Sequence, residues 1–482
     1  MSKINNLKME EKELVVDVTT LLKWSRSPVG IIRTQLEFVH YLIANDRTVK
    51  YFRFNETKDA LLEVSFNEIQ QQVTHLLNYK NKTASSHHNI KNESISTSII
   101  DFGILKKVWR VYKNEGWRPL AIKICKNICT EKQLDMLKKV YIQLFLESKS
   151  SPSKENLKKS IETILFSPEI QLANVMDVDF LTKNSIVISI GLDWDYSNYP
   201  LLYWLKQKIG FEFVGAFYDG IPIVYPELVQ SDYFSKMFFS HIYYLTHLSD
   251  RIFCISDYSK QQLKEIYKAH QISKYPQLKT IHLGDSVFKN EVQAISKKRG
   301  HKKDYVLYVS TIEARKNHLL LLKVWQKLQK EQFHNLPDLV LVGMYGWGID
   351  DVQELYQNDN DLKKIIHFYD DVDDEELVTM YKGSKFTVFP SFVEGWGLGA
   401  VESMLYGKVC LISNCDALIE ATQGLMPALP PTDVDLWADM IKDFVSNPNA
   451  LDEYAQIIRQ DFKSRSWAEF SSEFAEFARG ET

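Results

Sequence analysis

Two acidic residues in the second half of the chain have the spacing of a ligand-binding loop. Glu394 and Glu402 are eight positions apart and enclose three glycines, in the order EGWGLGAVE. The apolar run 386–389 before them predicts a buried strand, and the residues from Leu398 have helical periodicity. Helix N-termini attract phosphate, glycine lets the backbone approach a ligand, and carboxylates accept hydrogen bonds from sugar hydroxyls. The spacing therefore predicts a site for an anionic ligand with hydroxyl groups, such as a sugar nucleotide.

The adjacent cations Arg315 and Lys316 form a second candidate site. They follow the predicted strand 305–309 and precede a predicted helix that begins at Asn317. This position is the carboxyl end of a strand, where open α/β sheets bind ligands. Arg offers a planar fork of donors and Lys a point charge, and together they suit a diphosphate. Spacing alone leaves a solvated basic turn that caps the helix as an alternative of equal weight.

Short apolar runs that alternate with helical segments must position these residues. The runs fall into two series that divide near residues 270–304, and each run has the character of a buried parallel strand. The sequence therefore predicts an α/β protein with two Rossmann-like domains that face each other across a cleft. The runs are 14–18, 185–190, 213–218 and 251–256 in the first series, and 305–309, 339–343, 365–368, 386–389 and 409–413 in the second.

Length and composition limit the classes of function. The chain has 482 residues, 45% of them hydrophobic and 25% charged, so it is long enough for two or three soluble domains. A net charge of −4 argues against nucleic acid as a partner. Residues 1–13 lack the apolar core of a secretory signal, and the five cysteines form no Cys-x-x-Cys pair. We therefore expect a cytoplasmic protein with reduced thiols.

The motifs resemble those of glycosyltransferase family 4. The resemblance is strong over about 305–470, where it rests on 311–318 (TIEARKNH), 390–398 (PSFVEGWGL) and 402–407 (ESMLYG). It is looser in the first domain, where it rests on 30–33 (GIIR) and 219–227 (DGIPIVYPE). These first-domain patterns resemble bacterial mannosyl- and rhamnosyltransferases of surface-polysaccharide synthesis.

The resemblance implies the GT-B fold and a division of the chain into domains. Residues 1–275 would form an acceptor domain with a basic helical insertion at about 80–165. Residues 276–460 would form the nucleotide-sugar donor domain, and 461–482 a C-terminal helix that crosses back to the first domain.

The resemblance also implies roles for individual residues. Arg315 and Lys316 would bind the donor diphosphate and stabilise the leaving group, while Glu394 would contact the donor sugar. Glu402 would hold the ribose hydroxyls. The residues implied to bind the donor are Gly30, Arg33, Asp219, Thr311, His367, Gly395, Gly397, Leu398 and Glu402. Many family members carry a His where this chain has Tyr218, so the role of that His does not transfer.

The implied reaction is sugar transfer with retention of configuration. The donor would be a nucleotide-diphosphate sugar, with GDP-mannose as the first choice, and the acceptor a glycan or lipid-linked glycan. The alternatives are another GT-B enzyme, such as an epimerase or phosphorylase, and a non-catalytic glycan- or nucleotide-binding subunit.

No cofactor and no metal are expected. Three Asp-x-Asp patterns occur, at 193–195, 371–373 and 433–435, which shows how unspecific the pattern is. Asp373 is also suited to cap a helix, with Glu376 completing a capping box.

The stretch 106–139 is strongly basic, with ten Lys and Arg residues against three acidic ones and with aromatic residues interleaved. It predicts peripheral association with an anionic membrane surface, at the inner face of the cytoplasmic membrane. A solvated face of packed helices is the alternative.

Overall fold

The computed structural model describes residues 12–79, 178–285, 303–370 and 372–481, which belong to one compact unit. The predicted insertion at 80–165 lies outside the described residues, and so does the basic stretch 106–139. The fold class is confirmed, because the described residues form two largely parallel sheets with helices against them.

The first sheet has seven strands in the order β3-β2-β1-β4-β5-β6-β7. All neighbours pair in parallel except β3, which runs antiparallel to β2 at one edge. The central strands are rich in Val, Ile and Phe, and they are buried because helices cover the sheet. The strands are β1 (Glu13–Asp17), β2 (Lys50–Phe54), β3 (Leu61–Val64), β4 (Ser185–Ser189), β5 (Glu212–Phe217), β6 (Arg251–Cys254) and β7 (Gln277–Thr280).

Eight described helices accompany this sheet. Several begin at a serine whose hydroxyl accepts a backbone N–H of the first turn, as Ser256 does at the start of the last of them. The helices are α1 (Thr19–Lys23), α2 (Gly30–Asn45), α3 (Phe66–Leu77), α4 (Asp193–Tyr196), α5 (Tyr199–Ile209), α6 (Ile221–Val224), α7 (Asp232–Leu248) and α8 (Asp257–Ala269).

The second sheet has six strands in the order β10-β9-β8-β11-β12-β13, and all of its pairs are parallel. Strand β8 therefore lies beside β11, and the carboxyl ends of these two strands carry the two sequence motifs to one edge of the sheet. The strands are β8 (Tyr305–Val309), β9 (Asp338–Val342), β10 (Ile366–Tyr369), β11 (Phe386–Phe389), β12 (Cys410–Ser413) and β13 (Ala428–Leu429).

The remaining helices follow the second set of strands. They are α9 (His318–Lys330), α10 (Asp350–Asn358), α11 (Asp374–Gly383), α12 (Leu398–Leu405), α13 (Asp416–Ala421), α14 (Val434–Ser446), α15 (Pro448–Asp461) and α16 (Trp467–Arg479). The predicted capping box is confirmed at the start of α11, where Asp373 and Glu376 each accept the other's backbone N–H.

Helix α16 packs on the first sheet's helices, although it follows the second sheet in the chain. The rings of Phe38 and Phe474 meet edge-on at 4.6 Å, and Arg479 pairs with Asp46 at 2.5 Å. These contacts join α16 to α2 through both apolar packing and charge. The domain boundaries given above stay predictions.

Candidate active site

The basic turn that carries Arg315 and Lys316 is held by its own backbone and by Tyr308. Residues 314–316 form one turn of 3-10 helix after β8, and Asn317 ends it in the left-handed conformation, with φ 57°. Asn adopts this conformation more readily than most residues. The Tyr308 hydroxyl donates to the Lys316 carbonyl at 2.8 Å, and the Asn317 amide donates to the Pro390 carbonyl at 3.1 Å. The turn is thereby fixed against the loop after β11.

The glycine-bearing loop turns sharply at Gly397 before α12 begins. Gly397 has φ +114°, and a Cβ there would lie 2.4 Å from a methyl group of Leu418. Both the conformation and the space require glycine. The first N–H groups of α12, beginning at Leu398, have no acceptor within the helix and lie at the carboxyl edge of the sheet.

The structure brings Arg315, Lys316 and Glu394 together in one ion cluster. The Arg315 guanidinium donates to Glu394 Oε2 and the Lys316 ammonium to Glu394 Oε1, both at 2.6 Å. Burial disfavours the Glu394 carboxylate, but the two cations outweigh burial and lower its pKa to about 2. The three residues were predicted as catalytic, and that role stays a prediction.

Two further carboxylates face these cations. Glu313 Oε1 lies 2.8 Å from the Arg315 guanidinium, and the Glu313 side chain is only 4% exposed. Burial raises the pKa of Asp219, a residue of the first domain, and Arg315 partly offsets the increase. Sequence reasoning missed Glu313, although its place between strand β8 and the two cations was a usable signal.

Glu402 lies on α12 and is half-buried. The Tyr381 hydroxyl donates to its Oε2 at 2.9 Å. Burial raises the Glu402 pKa to about 7, while the hydrogen bond from Tyr381 and the charge of Arg33 oppose the increase. Glu402 is therefore electrostatically different from Glu394, although both belong to the same motif.

The N-terminal region of the first domain contributes Gly30 and Arg33 from the start of α2. Gly30 is exposed, with φ +52°, a conformation that favours glycine. Arg33 pairs with Glu37 at 3.0 Å, and its guanidinium lies 3.9 Å from Asp374 of the second domain. Arg33 therefore faces the same side of the cleft as Glu402.

Tyr218 does not present its hydroxyl to the ion cluster. Its side chain is buried in the first domain's core, and its hydroxyl donates to the Ile190 carbonyl at 2.5 Å. The next residue, Asp219, accepts the Ile221 backbone N–H at 3.0 Å, as Asp commonly does in turns. Asp219 thus both shapes a turn and lies near the cations.

Gly395 contacts the first domain through its backbone. Its carbonyl accepts hydrogen bonds from the hydroxyls of Ser256 and Ser259, at 2.8 and 3.3 Å. A Cβ on Gly395 would lie 2.6 Å from the Tyr218 carbonyl oxygen. The predicted contact of Gly395 with a donor stays a prediction, but the structure gives this residue a contact with the first domain.

A second contact between the domains lies at the start of α8. Both Glu420 oxygens accept backbone N–H groups of α8, from Asp257 at 2.7 Å and Tyr258 at 3.0 Å. His282 completes the contact, with Nε2 2.8 Å from Glu420 and its ring stacked on Trp396. Glu420, from α13, therefore caps a helix of the other domain.

The structure does not bring His367 to this cluster. Its Nε2 lies 3.0 Å from Asp338, the first residue of β9, so the imidazole is directed toward the amino ends of the strands. Its expected place at the donor site is thus not supported by the geometry, because ligands bind at the opposite edge of the sheet. Thr311 is half-buried two residues after β8, at the carboxyl edge of the sheet, where ligands bind.

The acids of the Asp-x-Asp patterns have other partners wherever the structure describes them. Asp193 is buried and accepts the Tyr199 hydroxyl at 2.6 Å, while Asp373 and Asp433 cap helices. Among the described residues, metal-compatible spacing occurs at Asp257, His282 and Glu420, the capping contact between the domains.

Comparison with known proteins agrees with the motifs. Residues 289–461 match the family described as glycosyl transferases group 1. The O-antigen chain mannosyltransferase B of Escherichia coli is 32% identical over 168 residues, which cover 35% of this chain and 39% of that protein. The serotype-specific mannosyltransferase WbdA of Escherichia coli is 26% identical over 171 residues, which cover 33% of this chain and 21% of that protein. The chain thus spans less than half the length of either relative.

One solved structure is similar over nearly the whole chain. The crystal structure of Anabaena Alr3699/HepE in complex with UDP and glucose has a TM-score of 0.53 at 13% identity, and the match covers 97% of this chain and 100% of that one. At this identity the likeness concerns the fold alone, and it agrees with the predicted two-domain GT-B architecture.

Proposed function

From the match of residues 289–461 to the glycosyl transferases group 1 family, we propose that the protein is a retaining hexosyltransferase of bacterial surface-polysaccharide synthesis. It moves a sugar, with mannose from GDP-mannose as the first choice, to a glycan or lipid-linked glycan acceptor. The observation that carries the proposal is the cluster of Arg315, Lys316 and Glu394 at the carboxyl edge of the second sheet. The similarity to two mannosyltransferases supports the choice of mannose.

The two cations suit the charge that develops on a leaving diphosphate. As the glycosidic bond breaks, negative charge accumulates on the diphosphate while the sugar becomes oxocarbenium-like. Arg315 and Lys316 are already fixed by Tyr308 and by the Glu313 backbone, so little reorganisation is needed. The N–H groups at the start of α12 add a partial positive charge on the same side.

Glu394 has a second task in this mechanism. In the structure its carboxylate accepts hydrogen bonds from both Arg315 and Lys316, and a bound diphosphate would compete for these two cations. The donor's sugar hydroxyls would then be the natural new partners for Glu394, because a buried carboxylate requires hydrogen-bond donors. Glu394 would thereby couple diphosphate binding to recognition of the sugar.

No metal or other cofactor is needed in this proposal, because Arg315 and Lys316 perform the charge neutralisation that a divalent ion would otherwise supply. Glu402 would accept hydrogen bonds from the ribose. Asp219, from the first domain, would lie near the sugar or the acceptor hydroxyl.

The proposal is tested with donor binding and transfer in the presence of EDTA. Thermal shift with GDP, UDP and their sugars identifies the nucleotide, and transfer is followed by product mass. We expect Lys316→Ala to lower turnover by about 10²–10³-fold, the usual effect of removing one transition-state donor. Lys323→Ala is the matched control, because Lys323 is exposed on α9.

The outcomes separate the alternatives. Wild-type turnover in both Lys316→Ala and Glu394→Ala would contradict the site assignment. Donor turnover without any acceptor would favour an epimerase, and nucleotide binding without turnover would favour a binding subunit. A requirement for a divalent ion, revealed by loss of activity in EDTA, would contradict the metal-independent mechanism.

Association with the inner face of the cytoplasmic membrane is also part of the proposal. It rests on the basic sequence 106–139 and on a lipid-linked acceptor. None of the described helices is long and apolar enough to cross a membrane.

A further inference from the structure

Glu313 contacts both cations, Lys316 through its backbone carbonyl and Arg315 through its side chain. The Lys316 N–H donates to the Glu313 carbonyl at 3.0 Å, which closes the turn, and Glu313 Oε1 pairs with the Arg315 guanidinium at 2.8 Å. The carboxylate is almost fully buried, and an unpaired charge there would be costly. Glu313 and Arg315 therefore depend on each other.

The Arg315 guanidinium is held from two directions. One terminal nitrogen donates to Glu394 at 2.6 Å and to the Val393 carbonyl at 2.9 Å, and the other faces Glu313. If Glu394 turns to the donor sugar, as proposed above, the contacts to Glu313 and Val393 remain. These two contacts would keep the guanidinium at the diphosphate when Glu394 no longer pairs with it.

The charges around this site also limit how tightly it can hold an anion. Arg315 and Lys316 supply two positive charges, and Glu313, Glu394 and Asp219 supply carboxylates that interact with them. A nucleoside diphosphate released in the reaction leaves more readily when the binding cations are partly neutralised by protein carboxylates.

We propose that Glu313 is a positioning residue, which fixes the guanidinium of Arg315 and weakens the hold of the site on the nucleoside diphosphate product. This inference rests on the proposed function, because it requires the diphosphate to bind at Arg315 and Lys316.

The test compares Glu313→Gln with Glu313→Asp in the full-length protein. Gln keeps an oxygen that accepts from Arg315 but removes the charge, so we expect the Kd for GDP to fall about three- to tenfold, as a nearby charge implies. Slower product release should lower kcat and the donor KM together. A purely structural role would weaken binding instead of tightening it.

Glu313→Asp keeps the charge but shortens the side chain by one methylene. Because the charge is kept, we expect its Kd for GDP not to fall below the wild-type value. We expect kcat to fall by tenfold or more, because the guanidinium is held out of place. Glu354→Gln, an exposed glutamate on α10, is the control and should change neither quantity.

The failures of the two proposals are distinguishable. If the wild-type protein binds neither GDP nor UDP, the proposed function fails and this inference fails with it. If the wild-type protein binds GDP, or UDP where that is the preferred nucleotide, but a folded Glu313→Gln binds it no more tightly, only the inference is wrong. If Glu313→Gln does not fold, wild-type kcat in Glu313→Asp would overturn the inference.

Discussion

Glu394 and Glu402 show how neighbours give two residues of one motif opposite electrostatic character. Two cations hold Glu394 ionised despite its burial, whereas Glu402 has one hydroxyl partner and its pKa is about 7. Glu394 is therefore a fixed charge over the whole physiological range. Glu402 changes its charge within that range.

The raised pKa of Glu402 predicts a pH-dependent affinity for the donor. Below pH 7 the carboxyl is mostly protonated, and above it the carboxylate accepts ribose hydroxyls more strongly. We expect the donor Kd to fall by about threefold or more between pH 6 and pH 8, as one titrating group allows. Isothermal titration across this range measures the change. Glu402→Gln should remove most of it, and an unchanged pH profile in that variant would contradict the assignment.

The low pKa of Glu394 predicts that the stability of the folded protein depends on pH. Its ion pairs stabilise the folded state above the carboxyl's unfolded pKa, about 4.3, and this contribution is lost as the pH falls toward 2. Glu394→Ala should therefore lose stability at pH 7, because two cations remain without their partner, and its deficit should shrink near pH 3. Urea denaturation at the two pH values measures both free energies of unfolding.

At the scale of elements, apolar strands were predictable and interrupted ones were not. The nine predicted strands are all present, because a buried parallel strand is a nearly continuous apolar run. Strand β2 was missed because Lys50 and Arg53 break its pattern, although it pairs with β1 inside the sheet. Strand β3 was missed because it is a short edge strand of four residues whose two central residues, Leu62 and Glu63, are both exposed.

Some residues of the candidate site could be predicted from the sequence and others could not. Arg315, Lys316 and Glu394 could be found because a motif carries them at the ends of neighbouring strands. The place of Glu313 beside the two cations was visible in the sequence, but its burial against Arg315 was not. The sequence did not reveal that His367 contacts Asp338, because a strand's boundaries do not show which of its ends a side chain approaches.

The cap that Glu420 provides to α8 predicts a role in domain closure. Removing the carboxylate in Glu420→Ala leaves the first N–H groups of α8 without their acceptor. Caps of this kind contribute about 1 kcal/mol, enough to shift an open–closed equilibrium several-fold.

Small-angle scattering of Glu420→Ala should show a larger radius of gyration than the wild type, and its kcat/KM should fall several-fold. Glu453→Ala, exposed on α15, should behave like the wild type; a wild-type scattering curve for Glu420→Ala would contradict the role.

At the scale of the whole molecule, the charge is distributed unevenly. The net charge is −4, yet the stretch 106–139 is strongly basic. An anionic membrane attracts such a segment by about 1 kcal/mol for each basic residue near the surface. The segment would bind a neutral bilayer only weakly, because no such attraction acts there.

Membrane association is therefore predicted to depend on charge. We expect the protein to pellet with vesicles that contain anionic lipid and to stay in solution with purely neutral vesicles. Replacing Lys106, Lys107, Lys138 and Lys139 with Glu should release it, and 0.5 M salt should do the same, since at about this concentration exposed charges are screened within a few ångströms. Equal pelleting by both proteins would contradict a role for this stretch.

The loop at Gly395 also constrains how this protein can change. The residue proposed to read the sugar is followed directly by one whose backbone touches the opposite domain and leaves no space for a side chain. A library that alters donor preference should therefore keep position 395 fixed and vary more open positions, such as Phe392, which is 38% exposed. The first domain, which contacts Gly395 through residues more than a hundred positions earlier in the chain, thus limits the sequences that this loop can accept.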